Sequence, residues 1–100
     1  MVSPITTGKD FNYYSSIVIP ASAAFPSDPQ AQITFRGPQK LRFDLTAGTS
    51  LEYSFNGNTV HGDMNSGNNT KTLDFEVRSN KLIWFRSAGG ATVRIEAYGL

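Results

Sequence analysis

His61-Gly62-Asp63, followed closely by Ser66, holds the residue types of a nucleophilic triad: a hydroxyl to attack, a base to take its proton and a carboxylate to orient the base. A working triad fixes its members from different elements, whereas these three share one short Gly- and Asn-rich stretch, so His61 reads as a polar residue at a strand end. With a single histidine and no cysteine there is no donor set for zinc. Asp63, Asn65, Gly67 and Asn69 stand at alternate positions, as at the start of a calcium loop. The match fails at its key places: Gly67 replaces a ligand, Asn68 replaces the turn glycine, and Asp74 stands where a bidentate Glu belongs. Asn68-Asn69-Thr70 fits a glycosylation acceptor but follows no secretory leader. Asp44, Glu52, Asp74, Glu76 and Glu96 could supply the acid and base of glycoside hydrolysis. Each alternates with apolar neighbours among Lys and Arg, which is the pattern of a solvated sheet face rather than of a cleft. Tyr13, Tyr14, Tyr53, Trp84 and Tyr98 could build a platform for stacking on sugar. Tyr53 and Trp84 fall in the core register, while Tyr14 and Tyr98 are predicted to be exposed, with a protein interface the preferred use. No catalytic residue, metal site or cofactor is expected.

The elements that position these residues are strands. Leu73, Phe75 and Val77 alternate with Thr72, Asp74, Glu76 and Arg78, and the pattern resumes after Gly89-Gly90 with Val93, Ile95 and Ala97. A period of two marks a strand with one dry and one wet face. The same reading gives strands over 10–19, 32–36, 40–45, 50–55, 58–64, 72–78, 81–86 and 92–98, with an Asn56-Gly57 hairpin turn and a tight turn at Ser79-Asn80. Seven or eight short strands, spaced by roughly ten residues, predict an all-β fold: an antiparallel β-sandwich, with a jelly roll as one form of it. The predicted core is Ile17, Ile33, Phe35, Leu41, Phe43, Leu51, Tyr53, Phe55, Leu73, Phe75, Val77, Trp84, Val93 and Ile95.

The 100 residues suit one domain, with residues 1–9 as an N-terminal arm and 21–31 as a long proline-punctuated loop. Nine Lys and Arg against eight Asp and Glu give a net charge of +1, which is no electrostatic funnel, so neither nucleic acid nor membrane is expected as a partner. No signal peptide or long apolar run is visible, and the chain is expected to be made in a cytoplasm and stay soluble.

The segments Leu51-Glu-Tyr-Ser-Phe-Asn-Gly-Asn-Thr-Val-His-Gly-Asp63, Thr72-Leu-Asp-Phe-Glu76, Leu82-Ile-Trp-Phe-Arg86 and Thr92-Val-Arg-Ile-Glu-Ala-Tyr98 together resemble a pattern in small virion proteins of tailed bacteriophages. Its parts are a Ser-x-Asn-Gly hairpin, an Ile-Trp-x-Arg strand and a terminal Val-x-Ile-x-Ala-Tyr strand. The resemblance covers residues 50–99. It implies a structural component of a phage particle, either a capsid cement (decoration) protein bridging major capsid subunits or a head–tail or tail accessory protein. Such a protein is a homo-oligomer located in the virion and assembled in the host cytoplasm. A carbohydrate-binding β-sandwich is the competing expectation. Val2, Ile5, Tyr14, Phe25 and Pro26, apolar and outside the assumed core pattern, are the expected interface residues, with the arm and the loop ordered only in the assembly.

Overall fold

Alternating sequences such as Lys40-Leu-Arg-Phe-Asp-Leu45 cannot hide their apolar half in a single sheet, so two sheets close face to face. The computed structural model describes residues 5–8, 11–33 and 37–99. Among the described residues there are nine strands: β1 Ile5–Gly8, β2 Phe11–Ile19, β3 Ala31–Ile33, β4 Lys40–Ala47, β5 Ser50–Ser54, β6 Gly62–Asn65, β7 Thr70–Asp74, β8 Lys81–Arg86 and β9 Ala91–Tyr98. The first sheet has the order β1-β2-β9-β4-β7 and the second β3-β8-β5-β6. All strand pairs are antiparallel.

The pairings nest. β5 pairs with β6, β4 with β7, β3 with β8 and β2 with β9, as in one long hairpin whose turn lies between β5 and β6. Rolling that hairpin up brings β9 beside β4 and β8 beside β5, which completes the two sheets. This is the jelly-roll form of the antiparallel sandwich, with β1 as an added edge strand.

The core lies between the sheets. Leu41, Phe43, Val93, Ile95 and Ala97 from the first sheet meet Ile33, Leu51, Tyr53, Ile83 and Phe85 from the second, all buried. Phe43 sets the spacing, because its ring stands edge-on to Tyr53 at 5.0 Å and to Phe85 at 5.7 Å. Such perpendicular contacts match the positive edge of one ring to the negative face of another.

Five expectations are corrected. Tyr14 is 1% exposed rather than on the surface. Between Tyr14 and Ile17, β2 advances three residues while β9 advances two, from Ile95 to Val93, so β2 carries a bulge. The extra residue leaves Ser15 and Ser16 both outside and swings Tyr14 to the same side as Ile17 and Ile19. Ser79-Asn80 does not close a hairpin: β7 and β8 lie in different sheets, and residues 75–80 cross between them, leaving Val77 74% exposed. Trp84 is half-buried on the outer face of β8, whose inward residues are Ile83 and Phe85. The Asn56-Gly57 turn belongs to a longer connection, residues 55–61, because β5 ends at Ser54 and β6 begins only at Gly62. Phe35, also assigned to the core, lies outside the described residues, as does Val2.

Candidate interaction faces

The chain's outward side chains form two faces of different character. On the first sheet, strand register sets three rows across β9, β4 and β7: Tyr98, Lys40 and Asp74; then Glu96, Arg42 and Thr72; then Arg94, Asp44 and Thr70. Asp44 anchors them. Its Oδ2 accepts from Arg94 Nη2 at 2.5 Å and Nε at 3.1 Å, and its Oδ1 accepts from Thr70 Oγ1 at 3.1 Å. Arg42 approaches Asp44 Oδ1 at 3.4 Å and Glu96 Oε2 at 3.9 Å. Burial alone would raise the Asp44 carboxyl, but the bonds from Arg94 and Thr70 and the charges of Arg42 and Arg94 outweigh it and hold the group below its ordinary 3.8. Tyr98 donates its hydroxyl to Glu96 Oε2 at 2.7 Å, and this bond, more than burial or the carboxylate's charge, raises the phenol's pKa.

On the second sheet, Leu82, Trp84 and Arg86 stand in one outward row along β8. Arg86 donates to Glu52 Oε1 at 2.9 Å, and its Cζ lies 4.5 Å from the centre of the Phe25 ring. The 55–61 connection folds over this face. Ser54, completely buried, accepts the N–H groups of Asn56 and Gly57, while Asn56 Oδ1 accepts those of Asn58 and Thr59. Gly57 lies over the Trp84 indole with φ +80°, and a Cβ there would come within 3.1 Å of Trp84 Cε2. Glycine meets both demands, positive φ and close approach.

His61 and Asn65, whose types were weighed for chemistry, are held in local structural contacts. His61 Nδ1 accepts the backbone N–H of Phe55 at 3.0 Å, and its ring packs on Phe55, fastening its own loop. Asn65 Oδ1 accepts the N–H groups of Gly67 and Asn68, so the oxygen that suggested a cation loop organises a turn. Among the described residues, no group of three or more His, Cys, Asp or Glu side chains is placed to hold a metal ion.

Of the five expected interface residues, the four that are described lie on different elements, β1, β2 and the loop after β2. Ile5 opens β1 and is paired with Tyr13, so part of the expected arm is an edge strand within a single chain. Tyr14 spans the sandwich, donating its hydroxyl to Gln32 O at 2.6 Å, and burial raises its pKa. Phe25 is half-buried beneath Arg86, and Pro26 is exposed. The loop carrying both is tied down without a partner. Ser22 N donates to Ser87 O at 2.9 Å, Gln30 N donates to Ile83 O, and the Gln30 amide both donates to and accepts from the backbone of Phe85. These bonds fasten both ends of the loop to β8 and to Ser87 just beyond it. Sequence reasoning missed the Leu82–Trp84–Arg86 row and the charged rows. The alternation of β8 was a visible signal for the first, but its inward register was misassigned by one residue.

Comparison with protein family models, curated proteins and solved structures finds no match to this chain.

Proposed function

We propose that this protein is a structural component of a bacteriophage particle: a capsid cement protein that bridges neighbouring major capsid subunits as a homo-oligomer. A head–tail or tail accessory position is the other form of the same reading. The observation that carries it is the Leu82–Trp84–Arg86 row, where Leu82 is 37% exposed and Trp84 only half-buried on the outer face of the sheet. Trp and Arg are the residue types most enriched where a few side chains dominate binding between proteins. The resemblance of residues 50–99 to small virion proteins supports the reading. So does the jelly roll, an architecture shared with viral capsid domains, although fold alone is an analogy. The role requires no catalytic step, cofactor, nucleic acid or membrane. Cement binding stabilises the assembled shell by mass action, because it favours the state that presents the complete site.

The test is co-sedimentation with undecorated capsids built from the major capsid protein of the same particle. Saturable binding is expected, weakened about tenfold or more by Trp84→Ala in a chain that still melts cooperatively. A folded protein with no affinity for any component of the particle would overturn the proposal.

A further inference from the structure

We infer that residues 75–80, which cross between the sheets, form a self-complementary contact through which two copies of this chain meet about a two-fold axis. The contact would join copies within the homo-oligomer of the proposed function, and in that respect it rests on that reading. Val77, 74% exposed, is the most exposed large apolar residue among those described, and Glu76 and Arg78 on either side of it are exposed too. A lone exposed valine is ordinary on any protein surface. A valine between opposite charges is different, because a two-fold axis sets residue i of one copy against residue j of the other, and j against i. With Val77 on the axis, Glu76 of each copy meets Arg78 of the other, and two salt bridges close around an apolar centre.

Both charges are available for such a pairing. Among the described residues neither Glu76 nor Arg78 takes part in an ion pair, whereas Asp44, Glu52, Asp74 and Glu96 on the sheet faces all do. Arg78 gives an N–H to Gly99 O, which places its guanidinium and leaves further donors for a carboxylate. Lys81, the next cation along the chain, is engaged elsewhere: its Nζ bonds Ser79 Oγ at 2.6 Å and lies 4.5 Å from the centre of the Phe75 ring. A partner of one charge sign would match only one of the two residues that flank Val77. A second copy of the same segment matches both.

The segment is also fixed on both sides of Val77. Phe75 N donates to Gln39 O at 2.8 Å, and the Phe75 ring stands edge-on to Phe55 at 6.1 Å. Beyond Val77, Gly37 lies directly against the Ser79 backbone, where a Cβ would overlap the Ser79 carbonyl. Held at both ends, the segment loses little conformational freedom when a second copy docks. Phe55 brings its own connection against Phe75, and Val60 in that connection, 39% exposed, adds apolar surface. The contact is small beside the roughly 1,200–2,000 Å² of a stable complex, so it gives a weak dimer in solution. Copies held side by side on a shell would pair at a high effective concentration.

The experiment is sedimentation velocity of the full chain at rising protein concentration, in low and high salt. A fast monomer–dimer exchange is expected, with a Kd of about 100 μM or tighter that weakens as salt rises. Val77→Asp should weaken it about tenfold or more, and Glu76→Arg or Arg78→Glu by a similar factor. All three positions are exposed, so a melt like that of the wild type verifies that each variant is folded. Mixing Glu76→Arg with Arg78→Glu should restore association, because one copy then carries two cations and the other two carboxylates. The inference is overturned if the wild type stays monomeric at about 300 μM. It is equally overturned if Val77→Asp dimerises as the wild type does, or if the mixture associates no better than either charge variant alone. Co-sedimentation tells the two readings apart. Dimers that bind no capsid fail the proposed function alone, whereas capsid binding by a chain that stays monomeric in solution fails this inference alone.

Discussion

The two outer faces of this sandwich are built from strands of the same alternating design, yet they hold together differently. On the first sheet, outward residues from β9, β4 and β7 fall opposite one another, so Arg94, Asp44 and Thr70 close into a network around a nearly buried carboxylate. On the second, Arg86–Glu52 is the one ion pair among that sheet's described residues, on a face where Leu82 and Trp84 are outward and a loop, not a strand, supplies the cover. A carboxylate's importance thus depends on how many partners the register brings to it and how much water it has lost.

The sharpest way to break that contrast is Asp44→Ala. It strands Arg94 and Thr70 and should cost about 2 kcal/mol, the scale of hydrogen bonds to a charged group, read as a fall in the urea midpoint. The same group carries a pH signature. Its folded-state pKa lies below 3.8, so the stability it contributes is fully present above the unfolded value and is lost as pH falls through the lower folded value. Melts of wild type and Asp44→Asn should therefore differ most near neutral pH and converge as the pH falls below the ordinary carboxylate range. A constant gap across that range would remove Asp44 from its anchoring role.

On the second face, Gly57→Ala is expected to cost about 1–2 kcal/mol, since alanine must adopt positive φ and its methyl presses on Trp84. Indole fluorescence should report the displacement, and an unchanged spectrum and melt would show that the loop does not rest on Trp84. The smallest effect belongs to Glu52→Gln. Its side chain is 42% exposed, so losing the pair with Arg86 should cost no more than about 0.5 kcal/mol and still less at high salt. If Glu52→Gln matched Asp44→Ala in the same denaturation series, the distinction between the faces would collapse.

Much of the fold was legible from alternation. Leu41, Phe43, Leu51, Tyr53, Val93 and Ile95 are buried where a period of two places them. Tyr14 was not legible, because a bulge changes the parity of a strand without any change in the pattern after it. Val77 was misassigned because the alternation continues past the point where β7 ends and the chain leaves for the other sheet. Trp84 shows a third limit: in the run Leu82-Ile-Trp-Phe, both registers are apolar, so alternation cannot say which pair faces inward. The charged residues of the first sheet's rows were all recognised as outward, but their convergence depends on pairing between strands far apart in sequence.

The amino-acid sequence by itself determined that this chain forms short antiparallel strands closing on one core, because side-chain alternation and Gly, Pro and Asn breaks act locally. Only the tertiary structure decided which strands became neighbours, and with that which outward residues share a face. β4 lies beside β9 because the long hairpin rolls up, a consequence of burying two sheet faces at once. That neighbourhood places Arg94 on Asp44 and Tyr98 beside Lys40, contacts between residues some fifty positions or more apart that no local pattern could specify.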